Sequence, residues 1–111
     1  MRVVFMGTPE FAAVTLKEIY KQHEIAAVFT QPDKVNMRGN KVKYSPVKEF
    51  ALEKEIKLYQ PKSVKDAAVI NELKEINPDI IVVVAYGRIL PNELIAIPKY
   101  STINVHASLL P

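Results

Sequence analysis

Asn104 and His106 are the residues of this 111-residue sequence best suited to chemistry. They stand two apart in Thr102-Ile103-Asn104-Val105-His106-Ala107-Ser108. The alternation of an extended strand would put Ile103, Val105 and Ala107 on one face and Thr102, Asn104, His106 and Ser108 on the other. Side chains at this spacing project the same way, about 6.6–7 Å apart, and can flank one small reacting group. An Asn amide can donate to a developing oxyanion. A His can donate a hydrogen bond as a cation, or move a proton when its pKa lies near 7. An edge strand with a solvated polar face would show the same alternation, so the pattern leaves both readings open. His23 lies at a helix end and reads as a surface residue.

A second feature is charge. The sequence carries a net +3. Lys34, Arg38, Lys41, Lys43 and Lys48 fall in one stretch that contains no acidic residue. Such a cluster can attract phosphate-bearing partners, but from charge alone a solvated loop is the simpler reading. Gly7 invites a nucleotide-binding reading, but its turn is Gly-Thr-Pro-Glu-Phe and not Gly-x-Gly-x-x-Gly. Pro9 removes a backbone N–H that would cradle phosphate, and Glu10 repels an anion. We therefore expect no NAD site and no P-loop. The sequence has no cysteine, which excludes a disulfide scaffold, a thiolate metal site and a Cys nucleophile. Its two histidines are far apart in sequence, so no metal is expected.

The elements that must position these residues alternate strand with helix. Arg2 to Met6 reads as a strand. Thr8-Pro9-Glu10 opens a helix with Thr8 as N-cap, and Phe11, Val14, Leu16 and Ile19 give its apolar face, up to about Gln22. Glu24 to Thr30 is a second strand, and Gln31 to Tyr44 a long loop. Ser45-Pro46 starts a helix that runs to about Glu55. Ile56 to Tyr59 is a third strand. Asp66 to Ile76 is a helix stopped by Asn77-Pro78. Asp79 to Tyr86 is a fourth strand, Leu94 to Ile97 one helical turn, and Ser101 to Ser108 a fifth strand. This order implies right-handed βαβ units. The expected fold class is α/β: a doubly wound, mostly parallel, Rossmann-like sheet with helices on both faces and strand order 3-2-1-4-5, forming part of one domain. Ligands of such folds bind beyond the carboxyl ends of the strands, near the switch point between strands one and four. Gly7, Gly87 and the segment after His106 all fall there. The longest apolar run, Ile80 to Tyr86, is strand-sized and too short to span a membrane. The first residues lack the features of a signal peptide, so a soluble cytoplasmic protein is expected.

Several segments resemble the methionyl-tRNA formyltransferase family, in order and at similar spacing. They are Gly7-Thr8-Pro9-Glu10-Phe11-Ala12, Thr30-Gln31-Pro32-Asp33-Lys34, Ser45-Pro46-Val47-Lys48, Ala85-Tyr86-Gly87-Arg88-Ile89-Leu90-Pro91 and Asn104-Val105-His106-Ala107-Ser108-Leu109-Leu110-Pro111. The last is shared with other folate-dependent formyltransferases, such as glycinamide ribonucleotide formyltransferase. The opening segment and the Gln-Pro-Asp loop are narrower and favour the tRNA enzyme.

The resemblance implies transfer of a formyl group from 10-formyltetrahydrofolate, a co-substrate, to the amino group of methionyl initiator tRNA. Asn104 would polarise the formyl oxygen, and His106 would assist that charge and proton transfer. Tyr86, Gly87, Arg88, Ile89 and Leu90 would line the pterin pocket, through backbone groups of Arg88 and Leu90. Ser108, Leu109, Leu110 and Pro111 would form the other folate wall. Lys34, Arg38, Lys41 and Lys43 would face the tRNA. A monomer with no membrane partner is expected. The family's catalytic aspartate lies further along than Pro111, so the chain would be the N-terminal part of the catalytic domain. The rest of that domain and a C-terminal tRNA-binding domain would lie outside it, and the piece alone would be inactive. Another formyltransferase, a formyl-folate hydrolase, or a noncatalytic nucleic-acid-binding α/β module are the alternative readings.

Overall fold

The computed structural model describes residues 1–36 and 41–105. In chain order its elements are β1 (Arg2–Gly7), α1 (Glu10–Tyr20), β2 (Glu24–Phe29), β3 (Lys34–Asn36), β4 (Lys41–Lys43), α2 (Pro46–Glu53), β5 (Leu58–Tyr59), α3 (Ala67–Ile76), β6 (Ile80–Val84), α4 (Asn92–Ile95) and β7 (Ser101–Val105). Five of the strands form one sheet in the order β5-β2-β1-β6-β7. Every pairing in it is parallel. With the small β3–β4 hairpin set aside, this is the 3-2-1-4-5 order expected from the sequence.

The apolar runs explain why β1 and β6 are central. Val3 and Phe5 project to one face and pack with Ala12, Leu16, Val47 and Phe50 from α1 and α2. Val4 and Met6 project to the other face and pack with Ile70, Leu73 and Leu94 from α3 and α4. A strand covered on both faces must be apolar at every position, as Val3 to Met6 and Ile81 to Val84 are. The amino ends of β1 and β6 are joined by the Arg2 backbone N–H, which donates to Asp79 Oδ2 at 2.8 Å, and by Arg2 Nε, which donates to the Ile76 carbonyl at 2.8 Å.

Local signals start and stop the helices. Ser45 Oγ accepts from the Lys48 backbone N–H at 3.1 Å, with Pro46 at the first helical position. Asp66 Oδ1 accepts from the Ala68 N–H at 3.0 Å. Asn77 closes α3 in the left-handed conformation, with φ 53°.

Several boundaries differ from the sequence reading, each for a physical reason. Thr8 is not the N-cap of α1. Pro9 takes that place without a side-chain cap, and Thr8 Oγ1 instead accepts from the Gln31 backbone N–H at 3.3 Å. The buried face of α1 is Ala12, Ala13 and Leu16, while Phe11 and Val14 are exposed. Small residues face inward there because the helix sits close on β1: a Cβ on Gly7 would lie 2.9 Å from the Ala12 Cβ and 2.6 Å from the Val84 carbonyl oxygen. The third strand shrinks to Leu58–Tyr59 because Glu55 turns left-handed, with φ 56°, and the Ile56 N–H closes the end of α2 on the Ala51 carbonyl at 2.8 Å. The stretch read as a loop contains the antiparallel pair β3–β4, with Val35 opposite Val42. Pro91 moves the short α4 back to Asn92–Ile95. The fifth strand is described as far as Val105, and His106 to Pro111 lie outside the described residues. No helix among the described residues is long and apolar enough to cross a membrane.

Candidate active site

The chain leaves β6 through two left-handed residues, Ala85 with φ 49° and Gly87 with φ 81°. That conformation is routine for glycine, but it is strained for alanine and persists only where the surroundings hold it. Tyr86, between them, sinks its ring into the core against the α3–α4 layer and is almost fully buried. Its hydroxyl has no hydrogen-bond partner among the described residues, and burial pushes the phenol pKa up. The turn is thus anchored from below by an aromatic ring while its backbone stays at the carboxyl edge of the sheet.

Beside this turn lies an open cleft of about 500 Å³. Phe11, Val83, Gly87, Arg88, Ile89 and Asn104 are among its lining residues. Asn104 reaches it because β7 pairs in register with β6, Asn104 opposite Val83 and Val105 opposite Val84. The alternation expected for the strand is present. Val105 packs against the α1–α2 layer, whereas the Thr102 hydroxyl donates to the Ile95 carbonyl of α4 at 2.8 Å, on the opposite face. β7 is the edge of the described sheet, yet Asn104 lies in the cleft it shares with Gly87.

Of the expected folate-lining residues, Tyr86, Gly87, Arg88 and Ile89 come together with Asn104. Leu90 does not line the cleft; it is half-buried against the α3–α4 core. The Arg88 guanidinium donates to the Lys62 carbonyl at 2.6 Å, which ties the turn to the connection after β5. Exposed Ile89 offers an apolar surface at the rim. His106, Ser108, Leu109, Leu110 and Pro111 lie outside the described residues.

The basic stretch divides in two. The hairpin brings Lys34 opposite Lys43, and Lys41 opens its second strand; Lys43 is exposed, and Arg38 lies outside the described residues. Lys48 does not belong with them. It is buried, its Nζ donates to Asp33 Oδ2 at 2.6 Å and to Gln60 Oε1 at 2.9 Å, and it sits 3.8 Å from the centroid of the Tyr44 ring. The hydrogen bond from Lys48, helped by one from Gln60, holds the Asp33 carboxyl below the usual carboxylate range. Sequence reasoning passed over this unit and over Gln31, whose side-chain Nε2 donates to the Tyr86 carbonyl at 2.7 Å. The sequence held two signals: Gln31, Asp33 and Lys48 fall in segments that carry the family resemblance, and Gln31-Pro32-Asp33 directly follows the second strand, at the end where ligands of this fold bind. Among the described residues, no group of three or more His, Asp or Glu side chains could hold a metal ion.

A doubly wound parallel sheet with an amide and a strained backbone turn sharing a cleft at its carboxyl edge is the framework of an α/β enzyme. Residues 1–111 match the family model described as "Formyl transferase", and the chain belongs to that family. It is 58% identical over 111 residues to a protein of Fusobacterium nucleatum named methionyl-tRNA formyltransferase. It is 58% identical over 113 residues to one of that name from Caldanaerobacter subterraneus, and 56% identical over 112 residues to one from Clostridium botulinum. These matches cover 100% of this chain but 36–37% of those relatives, so the chain spans a little over a third of their length.

Proposed function

We propose that the protein containing this chain transfers the formyl group of 10-formyltetrahydrofolate to the amino group of methionyl initiator tRNA. The observation that carries this reading is the identity of more than half of all residues, along the whole chain, to proteins named for that reaction. The cleft geometry supports it. The amine nitrogen attacks the formyl carbon and the carbonyl oxygen becomes an oxyanion. The Asn104 amide, at the edge of the cleft, donates to that oxyanion, a charge best stabilised by a fixed dipole. Collapse breaks the bond from carbon to the folate nitrogen, which takes a proton as the amine loses one. His106, two residues further along the sequence, supports the charge and moves the proton.

Tyr86, Gly87, Arg88 and Ile89 form one folate wall, and Ser108, Leu109, Leu110 and Pro111 the other. Lys34, Arg38, Lys41 and Lys43 meet tRNA phosphates. The chain is the N-terminal part of the catalytic domain of a cytoplasmic, monomeric enzyme. The remainder of that domain and a tRNA-binding domain complete the site. The test is to incubate the full-length protein with labelled 10-formyltetrahydrofolate and methionyl initiator tRNA. Label appearing on the aminoacyl group is the expected result. Hydrolysis of the folate without transfer, or tRNA binding with no use of folate, would overturn the reading.

A further inference from the structure

The carboxyl end of β2 is tied to three other strand ends through one residue. Gln31 Nε2 donates to the Tyr86 carbonyl at 2.7 Å, beyond β6. The Gln31 backbone N–H donates to Thr8 Oγ1 at 3.3 Å, beyond β1. The Gln31 carbonyl accepts from Gln60 Nε2 at 3.2 Å, beyond β5. The orientation of Gln60 is fixed in turn, because its Oε1 accepts from Lys48 Nζ at 2.9 Å while its Nε2 also donates to Asp33 Oδ1 at 2.8 Å. An ammonium can only donate, and the Asp33 carboxylate and Gln31 carbonyl can only accept, so the Gln60 amide cannot flip without losing all three partners. Asp33 and Lys48 close the chain at 2.6 Å.

The group that Gln31 holds is the carbonyl between the two left-handed residues, Ala85 and Gly87. Such a turn reverts unless its surroundings over-determine it. The Tyr86 ring, packed in the core, constrains the turn from one side, and the Gln31 amide constrains its backbone from the other. Taking the cleft as the folate site proposed above, we infer that Gln31 is a positioning residue that holds the Tyr86–Gly87 wall in its binding conformation, with Gln60, Asp33 and Lys48 as its buttress. Gln31 touches neither the formyl group nor the acceptor. Its effect falls on folate binding and not on the tRNA.

The test uses the full-length protein and steady-state kinetics with each substrate varied in turn. Gln31→Glu keeps the side-chain shape but faces the Tyr86 carbonyl with an acceptor. It is expected to raise KM for 10-formyltetrahydrofolate about tenfold, the factor that one unsatisfied buried hydrogen bond corresponds to. KM for the tRNA should stay within about twofold, because the bond joins Gln31 to the turn after β6 and not to the basic hairpin. Phe50→Leu, on the opposite face of the sheet, is the control: it should lower Tm and leave the folate KM in place. Gln60→Met, which removes the donor to the Gln31 carbonyl from further away, should give a smaller rise of the same selectivity and keeps the test open if Gln31→Glu does not fold. Equal changes in both KM values, or none, would overturn the assignment of Gln31. A wild-type protein without folate-dependent transfer would instead overturn the functional reading on which it rests.

Discussion

A Cβ added to Gly87 would lie 2.0 Å from Nε2 of Gln31, so the glycine and the glutamine fill one space between them. Gly87 also holds φ 81°, which a side chain rarely tolerates. Gly87→Ala therefore meets two obstacles, backbone strain and a clash. It should destabilise the fold by about 1–3 kcal/mol in thermal or urea unfolding. In the Gln31→Ala background the clash is gone and only the strain remains. The double mutant should then be less destabilised than the two single changes predict together. Strict additivity would mean that the two residues do not share that space.

Asn104→Ala in the full-length protein should slow the single-turnover rate by about 10²–10³, the usual worth of one oxyanion donor. His106→Ala should also act on that rate. Neither should much alter tRNA binding. Weakened tRNA binding with an unchanged rate would contradict both roles.

Acid should weaken the Asp33–Lys48 unit. The Asp33 carboxyl is held below its ordinary value, so its contribution is fully present above the unfolded value of about 3.9 and is lost as pH falls through the lower folded value. Urea unfolding of Asp33→Asn should accordingly show a shallower loss of stability below about pH 4 than the wild type. Lys48→Met removes the main partner and should reduce the same slope, with the Gln60 hydrogen bond to the carboxyl left in place. An unchanged acid profile in both variants would mean that the ion pair does not form in solution.

Neutralising Arg38 and Lys41 together should weaken tRNA binding. It should also flatten the salt dependence of that binding, by about 0.7–0.9 log units for each phosphate no longer neutralised. Lys48→Gln should leave that slope in place, because the Lys48 ammonium is already engaged by Asp33 at 2.6 Å. A flatter slope for Lys48→Gln would return that residue to the tRNA-facing cluster.

The strand order was legible in the sequence because strands alternating with helices imply the βαβ units of a doubly wound sheet, and the placement of Asn104 near Gly87 because both fall towards the carboxyl ends of its strands. Val3 to Met6 and Ile81 to Val84 are apolar at every position, which places them at the centre of a sheet, and Thr102 to Val105 alternate. What escaped depends on contacts across the chain. The face of α1 turned out to be Ala12 and Ala13 because Gly7 lets the helix come close, a packing relation that no helical period encodes. Thr8 has the composition of an N-cap but is taken up by Gln31, across 23 residues. Lys48 reads as one more charge in a basic run, and only the fold brings Asp33 and Gln60 to it from two other segments.

The pairing of β1 with β6 also sets an order of events during synthesis. The Arg2–Asp79 contact at its base spans 77 residues. A ribosome adding about 5–20 residues per second takes roughly four to fifteen seconds to make that stretch. For much of that interval, once β2 has been made, the Val3–Met6 segment has β2 on one side and nothing to pair with on the other. An apolar strand with an open edge is a template for pairing with another chain. The central position of β1 in the finished sheet therefore makes the nascent chain vulnerable to aggregation until residue 84 has emerged, and slow codons between β2 and β6 would lengthen the exposure.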